Sequence, residues 1–221
     1  MYDLHNSVIL KEGFPDFESF GISGAGILFR NNFKKEQYEA VKESTKESGV
    51  DIFSVLEVNA DKSGDVKTAL KNRESVDILM INTKSPRAMR AAAESSLVDV
   101  ISHAFIDQSS AALASKNNVA LEINLADILE LTGIKRSLLL SKIKFNLLLA
   151  RKYKLDIVMT TGASSKYGLR QPRQMMALAE VLGMSNAEAK RAVMGFPKEL
   201  VEKNRRKHSG VTVKEGITKN G

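Results

Sequence analysis

Short apolar, β-branched runs alternate along this chain with longer segments of helical spacing. The strand-like runs are residues 1–5, 26–29, 51–58, 76–81, 98–101, 119–123 and 156–160. Between and after them, residues 33–48, 62–73, 86–95, 107–116, 137–153, 172–183, 187–194 and 197–206 carry helical signals. Gly49 is a stop signal, and Pro86 and Pro172 sit where a first helical turn accepts proline. Asp107 is placed to cap the segment after it, and Ser185 with Glu188 forms a capping-box pattern. Segment 137–153 is apolar around too much of its circumference for one narrow stripe. It is expected to be buried widely, against the sheet or against another protein. Repeated strand–helix units predict a mainly parallel α/β sheet, and about seven strands favour closure into a barrel. No GxGxxG or Walker pattern is present, which argues against the common nucleotide-binding versions.

Residues 155–184 hold the most informative unit. A strand ends in Thr161, Gly162, Ala163, Ser164 and Ser165, three cations follow at Lys166, Arg170 and Arg173 around Tyr167, and a helix leads away from Pro172. Ligands in α/β proteins bind at that edge, and cations beside hydroxyl groups suit phosphates. Lys84, Arg87 and Arg90 cluster in the same way after another strand.

Charge sharpens this picture. The net charge is +7, but residues 1–132 hold 14 Lys/Arg against 20 Asp/Glu, whereas residues 133–221 hold 19 against 6. A basic half beside an acidic one predicts a face for nucleic acid or another polyanion. The length of 221 residues suits one domain over 1–203, and 204–221 reads as a basic, flexible tail. The chain has no cysteine, which excludes disulfides, thiolate metal sites and cysteine nucleophiles. No apolar run approaches the roughly 20 residues that span a bilayer, so a soluble cytoplasmic protein without membrane contacts is expected.

Three motifs resemble one family. They are Tyr2-Asp3-Leu4-His5, Ala114-Ser115-Lys116-Asn117-Asn118-Val119-Ala120-Leu121-Glu122-Ile123-Asn124, and Thr161-Gly162-Ala163 followed by Leu169-Arg170-x-Pro172-Arg173. Their order and spacing resemble ribonuclease P protein component 3, over about residues 1 to 200. The resemblance implies an irregular TIM-like (PHP-like) barrel that serves as a protein subunit of ribonuclease P. In that ribonucleoprotein the RNA, using Mg2+, removes the 5′ leader of precursor tRNA. The subunit would have no active site and no bound cofactor of its own. Its implied partners are ribonuclease P RNA, a small ferredoxin-like α/β subunit in a heterotetramer, and other ribonuclease P proteins. Lys116 matches a basic position of the family, and Arg170, Arg173, Lys166, Lys84, Arg87 and Arg90 complete the expected RNA contacts. The arginine that family members often carry after the strand near 101 is missing, replaced by Asp107-Gln108-Ser109-Ser110.

PHP-type phosphoesterases carry Asp-x-His-x-His at the first strand, where this chain has Asp3, His5 and Ser7. Glu57, Asp99, His103 and Glu122 are further polar candidates at strand ends. Three histidines are few for a multinuclear site. Asp3, His5 and His103 are therefore expected to form a hydrogen-bonded remnant at the barrel mouth, without metal. The alternatives are a metal-dependent phosphoesterase of PHP type and a general RNA-binding barrel.

Overall fold

The apolar runs become seven parallel strands that pair in chain order: β1 (Tyr2–Asn6), β2 (Gly24–Arg30), β3 (Asp51–Asn59), β4 (Ile78–Asn82), β5 (Val100–Ser102), β6 (Ala120–Asn124) and β7 (Ile157–Thr160). This computed structural model describes residues 1–209 and the backbone of 212–214 and 217–218. The strands are buried on both faces, so their sequences read as apolar runs rather than as alternation. Register is continuous from Gly24↔Asp51 to Arg30↔Glu57 between β2 and β3. Gly26 is needed in this packing, because a Cβ there would lie 2.7 Å from Val55 and 2.8 Å from the Leu4 carbonyl.

Helices surround the strands: α1 (Val8–Glu12), α2 (Lys35–Ser44), α3 (Ser63–Leu70), α4 (Pro86–Ala93), α5 (Gln108–Lys116), α6 (Leu125–Glu130), α7 (Gly133–Tyr153), α8 (Pro172–Val181), α9 (Asn186–Lys190) and α10 (Phe196–His208). Asp107 accepts from the Ser110 amide at 2.8 Å, and Ser185 and Glu188 cap each other reciprocally. Gly49 ends its segment in the left-handed region, as the stop signal requires. A π-helical segment, Arg191–Gly195, joins α9 to α10. The short α1 and α6 have no counterpart among the expected elements.

Between β1 and β7 the ladder is replaced by a side-chain clasp. Asp3 accepts from the Thr161 amide at 3.0 Å and from the Thr161 hydroxyl at 2.6 Å, and the Ser7 amide donates to Ala163 O at 2.8 Å. Inside the strands, Leu4, Leu28, Phe53, Val55, Met80 and Val158 form an inner core, which Phe196, Leu200 and Val201 of α10 join. The outer core packs the strands against the surrounding helices.

Helix α10 closes the amino-terminal end of the barrel. Arg205 donates to Asp51 at 2.9 Å and to Ile52 O at 2.8 Å, and contacts Asp77 at 3.3 Å. Asn204 is buried, and its amide nitrogen donates to Asp77 O and Asp99 Oδ1, both at 2.9 Å. The expected tail therefore starts too early. Residues 204–208 are helical, because they carry the contacts that seat α10. Of the remaining tail, 210–211, 215–216 and 219–221 lie outside the described residues, as do the side chains of the short antiparallel pair Thr212–Lys214 and Ile217–Thr218.

Candidate functional site

The open, carboxyl-terminal mouth gathers the polar strand ends. Phe53, Val55 and Glu57 share one side of β3, and Ala120 and Glu122 share one side of β6, so the period of two that fills the inner core turns both carboxylates into the mouth. Glu122 is buried and accepts from Thr160 Oγ1 at 2.6 Å. Its Oε1 also takes the Nδ1 hydrogen of buried His5 at 2.7 Å. Glu57, also buried, is held by Arg30 at 3.1 Å and by Asn82 Nδ2 at 3.2 Å.

His103 follows β5 with φ of 53°, a left-handed conformation that histidine adopts more readily than most residues. Its Nδ1 lies 2.5 Å from Asp127 on α6. With both Nδ1 atoms committed to carboxylates, the two Nε2 atoms point toward one acceptor. They lie 3.9 Å (His5) and 4.0 Å (His103) from Glu57 Oε1. These three ligand atoms are all within 4.8 Å of one another.

The electrostatics follow from this geometry. Burial opposes a charge on His5, but Glu122 and then Glu57 outweigh it and raise the imidazole to about 9. Burial likewise opposes ionisation of Glu122, and His5 overcomes it, lowering the carboxyl to about 2. Burial also works against the charged form of His103, yet its bond to Asp127 raises its value.

The expected trio of Asp3, His5 and His103 is thus redrawn. Asp3 spends both oxygens on Thr161 at the seam, and burial raises its carboxyl against those bonds. Glu57 takes its place beside the histidines. Asp99 precedes β5 and faces the opposite end, where Arg73 and Asn204 hold it. Asp127 is not among the expected site residues, because the short helix that carries it leaves no periodic signal. The parity of β3 does signal Glu57.

Gly162 explains part of the third motif. Its φ is +62°, and a Cβ would lie 1.9 Å from Asn124 Oδ1. Without that carbon, Asn124 packs against the turn, with Nδ2 3.3 Å from His5 Nδ1 and Oδ1 accepting from the Ala126 amide at 2.9 Å.

The cationic loop after β7 lies at the same mouth. Lys166 and Tyr167 are exposed, with the ammonium 5.3 Å from the ring centroid, and Arg173 is exposed on the first turn of α8. Arg170 is half-buried, and its Nη1 donates to Tyr167 O at 2.7 Å and Leu169 O at 2.8 Å, so part of its hydrogen bonding shapes the loop. Lys84 and Arg87 are exposed after β4, while Arg90 pairs with Glu94 at 2.9 Å. Lys116 ends α5, just before β6, and so lies at the opposite end of the barrel from the loop.

Beside His103 opens a cleft of about 480 Å³ whose lining includes Lys84, Phe105, Asp127, Lys135 and Lys142. Lys142 sits 6.0 Å from the centre of the Phe105 ring. The two α7 lysines are absent from the expected contacts, because the apolar excess of that segment masks them. That excess is not fully buried: Ile134, Leu138 and Leu148 are 80%, 58% and 61% exposed. Among the described residues no helix is long and apolar enough to cross a membrane.

Comparison with known proteins adds a family. The family described as RNase P subunit p30 matches residues 4–209. Ribonuclease P protein component 3 of Methanosarcina acetivorans is 37% identical over 164 residues, covering 71% of this chain and 69% of that protein. The same component of Methanothermobacter thermautotrophicus is 30% identical over 191 residues, covering 83% and 77%. A chain in a cryo-EM structure of archaeal ribonuclease P with mature tRNA superposes with a TM-score of 0.83 at 24% identity, covering 93% of this chain and 92% of that one. A prolidase crystal structure shares the fold more loosely, with a TM-score of 0.51 at 16% identity over 77% of this chain and 47% of that one.

Proposed function

The chain belongs to the RNase P subunit p30 family, and from that premise we propose that it works as a protein subunit of ribonuclease P. The observation that carries this reading is the family match, which runs through the whole barrel from residue 4 to residue 209. In this role the chain binds and stabilises the RNA that removes the 5′ leader from precursor tRNA in the cytoplasm. The RNA uses Mg2+ for the chemistry, and no side chain of this protein attacks the substrate.

The RNA contacts proposed are Lys166, Arg173 and Arg170 after β7, with Lys84, Arg87 and Arg90 after β4 and Lys116 at the far end of α5. Exposure of Lys166, Arg173, Lys84 and Arg87 supports this, since a surface cation gives up little hydration to meet a phosphate. Arg173 can offer a bidentate fork. The partners proposed are ribonuclease P RNA, other ribonuclease P proteins and a small ferredoxin-like α/β subunit, with which the chain forms a heterotetramer. The exposed Ile134, Leu138 and Leu148 of α7 support a protein contact on that helix.

The test is reconstituted cleavage of precursor tRNA at low Mg2+, with the RNA and partner proteins, comparing the native chain, a Lys166→Ala/Arg173→Ala variant and no added protein. Native protein is expected to stimulate cleavage, and the folded variant to do so much less. Arg170 is left intact because its bonds to Tyr167 and Leu169 shape the loop. No stimulation by folded native protein, in a set whose other members are active, would sink the assignment.

A further inference from the structure

From the arrangement of His5, Glu57 and His103 at the barrel mouth, we infer that this protein binds one divalent transition-metal ion of the zinc class there, through His5 Nε2, His103 Nε2 and Glu57 Oε1. Two ligand atoms that share a tetrahedral ion at 2.0–2.2 Å lie about 3.4 Å apart. The imidazole nitrogens lie 3.9 and 4.0 Å from Glu57 Oε1 and within 4.8 Å of each other, so closing on an ion takes a shift of roughly half an ångström toward the carboxylate and up to about 1.4 Å between the two rings. Two nitrogens and one oxygen form a donor set that suits zinc and its first-row neighbours better than magnesium.

The surroundings of these ligands carry the inference further than their number does. Each imidazole donates its Nδ1 hydrogen to a carboxylate, His5 to Glu122 at 2.7 Å and His103 to Asp127 at 2.5 Å. That is the outer contact which fixes ring orientation and raises basicity in metal-bound histidines. Glu57 is steadied in the same way by Arg30 and Asn82. The left-handed backbone of His103 is a conformational cost that is met at the residue whose ring must turn toward Glu57.

A second observation is independent of the three ligands. Asn6 is fully buried next to His5 in β1, yet neither its side-chain oxygen nor its nitrogen has a hydrogen-bond partner. Orphaned polar atoms are rare in folded interiors and point to an ion or water shell that they serve. His103 also lines the cleft beside the mouth, which gives an ion a route from solvent and leaves its fourth position open to water.

Chelator-stripped protein titrated with Zn2+ in a calorimeter, and with Co2+ followed by visible absorption, tests this. One Zn2+ per chain is expected, and Co2+ should give d–d bands of nitrogen and oxygen coordination. His103→Gln and Glu57→Gln should each weaken Zn2+ binding about 100-fold or more. Asp127→Asn, at a site only partly buried, should weaken it about 10- to 100-fold through His103. His208→Gln, which removes the histidine at the end of α10, should change nothing. Circular dichroism checks each fold, and Asp127→Asn decides the matter if the ligand variants do not fold. Failure of the native chain to take up one Zn2+, or unchanged affinity in folded His103→Gln or Asp127→Asn, overturns the site. The reconstituted cleavage assay stands apart from this binding test, so either reading can fail alone.

Discussion

Gly162 does more at the mouth than turn the chain. Its positive φ and the Asn124 side chain packed into the space of its missing Cβ make two separate demands for glycine. Gly162→Ala must both strain the backbone and displace Asn124 from His5 and Ala126. The expected cost is roughly 3 kcal/mol, or a melting temperature lower by about 6–12 °C. Thermal unfolding checks it, and an unchanged midpoint would mean that Asn124 swings away freely. A second residue-scale test concerns Arg151, which grips Glu188 with two bonds of 2.8 Å. These bonds lower the Glu188 carboxyl from its ordinary 4.5 to about 2. Because the folded value is the depressed one, this pair contributes above pH 4.5, and its contribution fades as pH falls toward 2. Carboxyl NMR should show Glu188 titrating near pH 2 in the native chain and clearly higher in Arg151→Gln, though still below its ordinary value because the Ser185 amide keeps donating to it at 2.7 Å. The pair is exposed, so the shift in titration, rather than a change in global stability, is the quantity to read.

The strands and the seam show what sequence can and cannot convey about elements. Strands buried on both faces appear as apolar runs, so all seven are legible and each starts within two residues of its expected place. Helix α5 and the start of α9 are legible through their caps, which are local chemistry. Helices α1 and α6, at five and six residues, are too short for periodicity to register. Asp127 is invisible in the sequence for that reason. The place of Asp3 is hidden for a different one: joining β1 to β7 is a contact across 158 residues, which no local pattern encodes. The same contact yields a prediction. The last strand meets the first through the Asp3–Thr161 clasp and the Ser7–Ala163 bond, so Thr161→Val should leave one buried carboxylate oxygen unsatisfied. Urea unfolding should show a loss of about 1–3 kcal/mol. Faster amide exchange should appear first in β1 and β7, and uniform acceleration across all strands would contradict a local seam.

At the scale of the whole molecule, strand order equal to chain order turns a division of charge along the sequence into a division around the barrel. Residues 133–209, with 17 Lys/Arg against 5 Asp/Glu, supply α7, β7, α8 and α9 as consecutive elements of the barrel and α10 at its amino-terminal end. Part of that charge is structural: Arg205 ties α10 to Asp51 and Asp77, and Arg191 pairs with Asp156 and Glu199. A chain ending at residue 203 should therefore be less stable by about 3 kcal/mol or more than one ending at 209, which differential scanning calorimetry would show as a drop of roughly 6 °C or more. The exposed cations proposed to meet RNA lie at two ends. Lys166, Arg173, Lys84 and Arg87 lie at the carboxyl-terminal mouth, whereas Lys116 lies one helix length away, about 14 Å for the nine residues of α5. An RNA seated on the mouth meets the first group only, and an RNA lying along the side of the barrel meets both. Each phosphate that no longer meets a cation should reduce the salt slope of binding by about 0.7–0.9. Filter binding of ribonuclease P RNA over a salt series should then show the slope falling by about 1.5 in Lys166→Ala/Arg173→Ala and by about 0.7–0.9 in Lys116→Ala, because the proposed contacts lie at both ends. An unchanged slope in Lys116→Ala would instead seat the RNA on the mouth alone and remove Lys116 from its contacts.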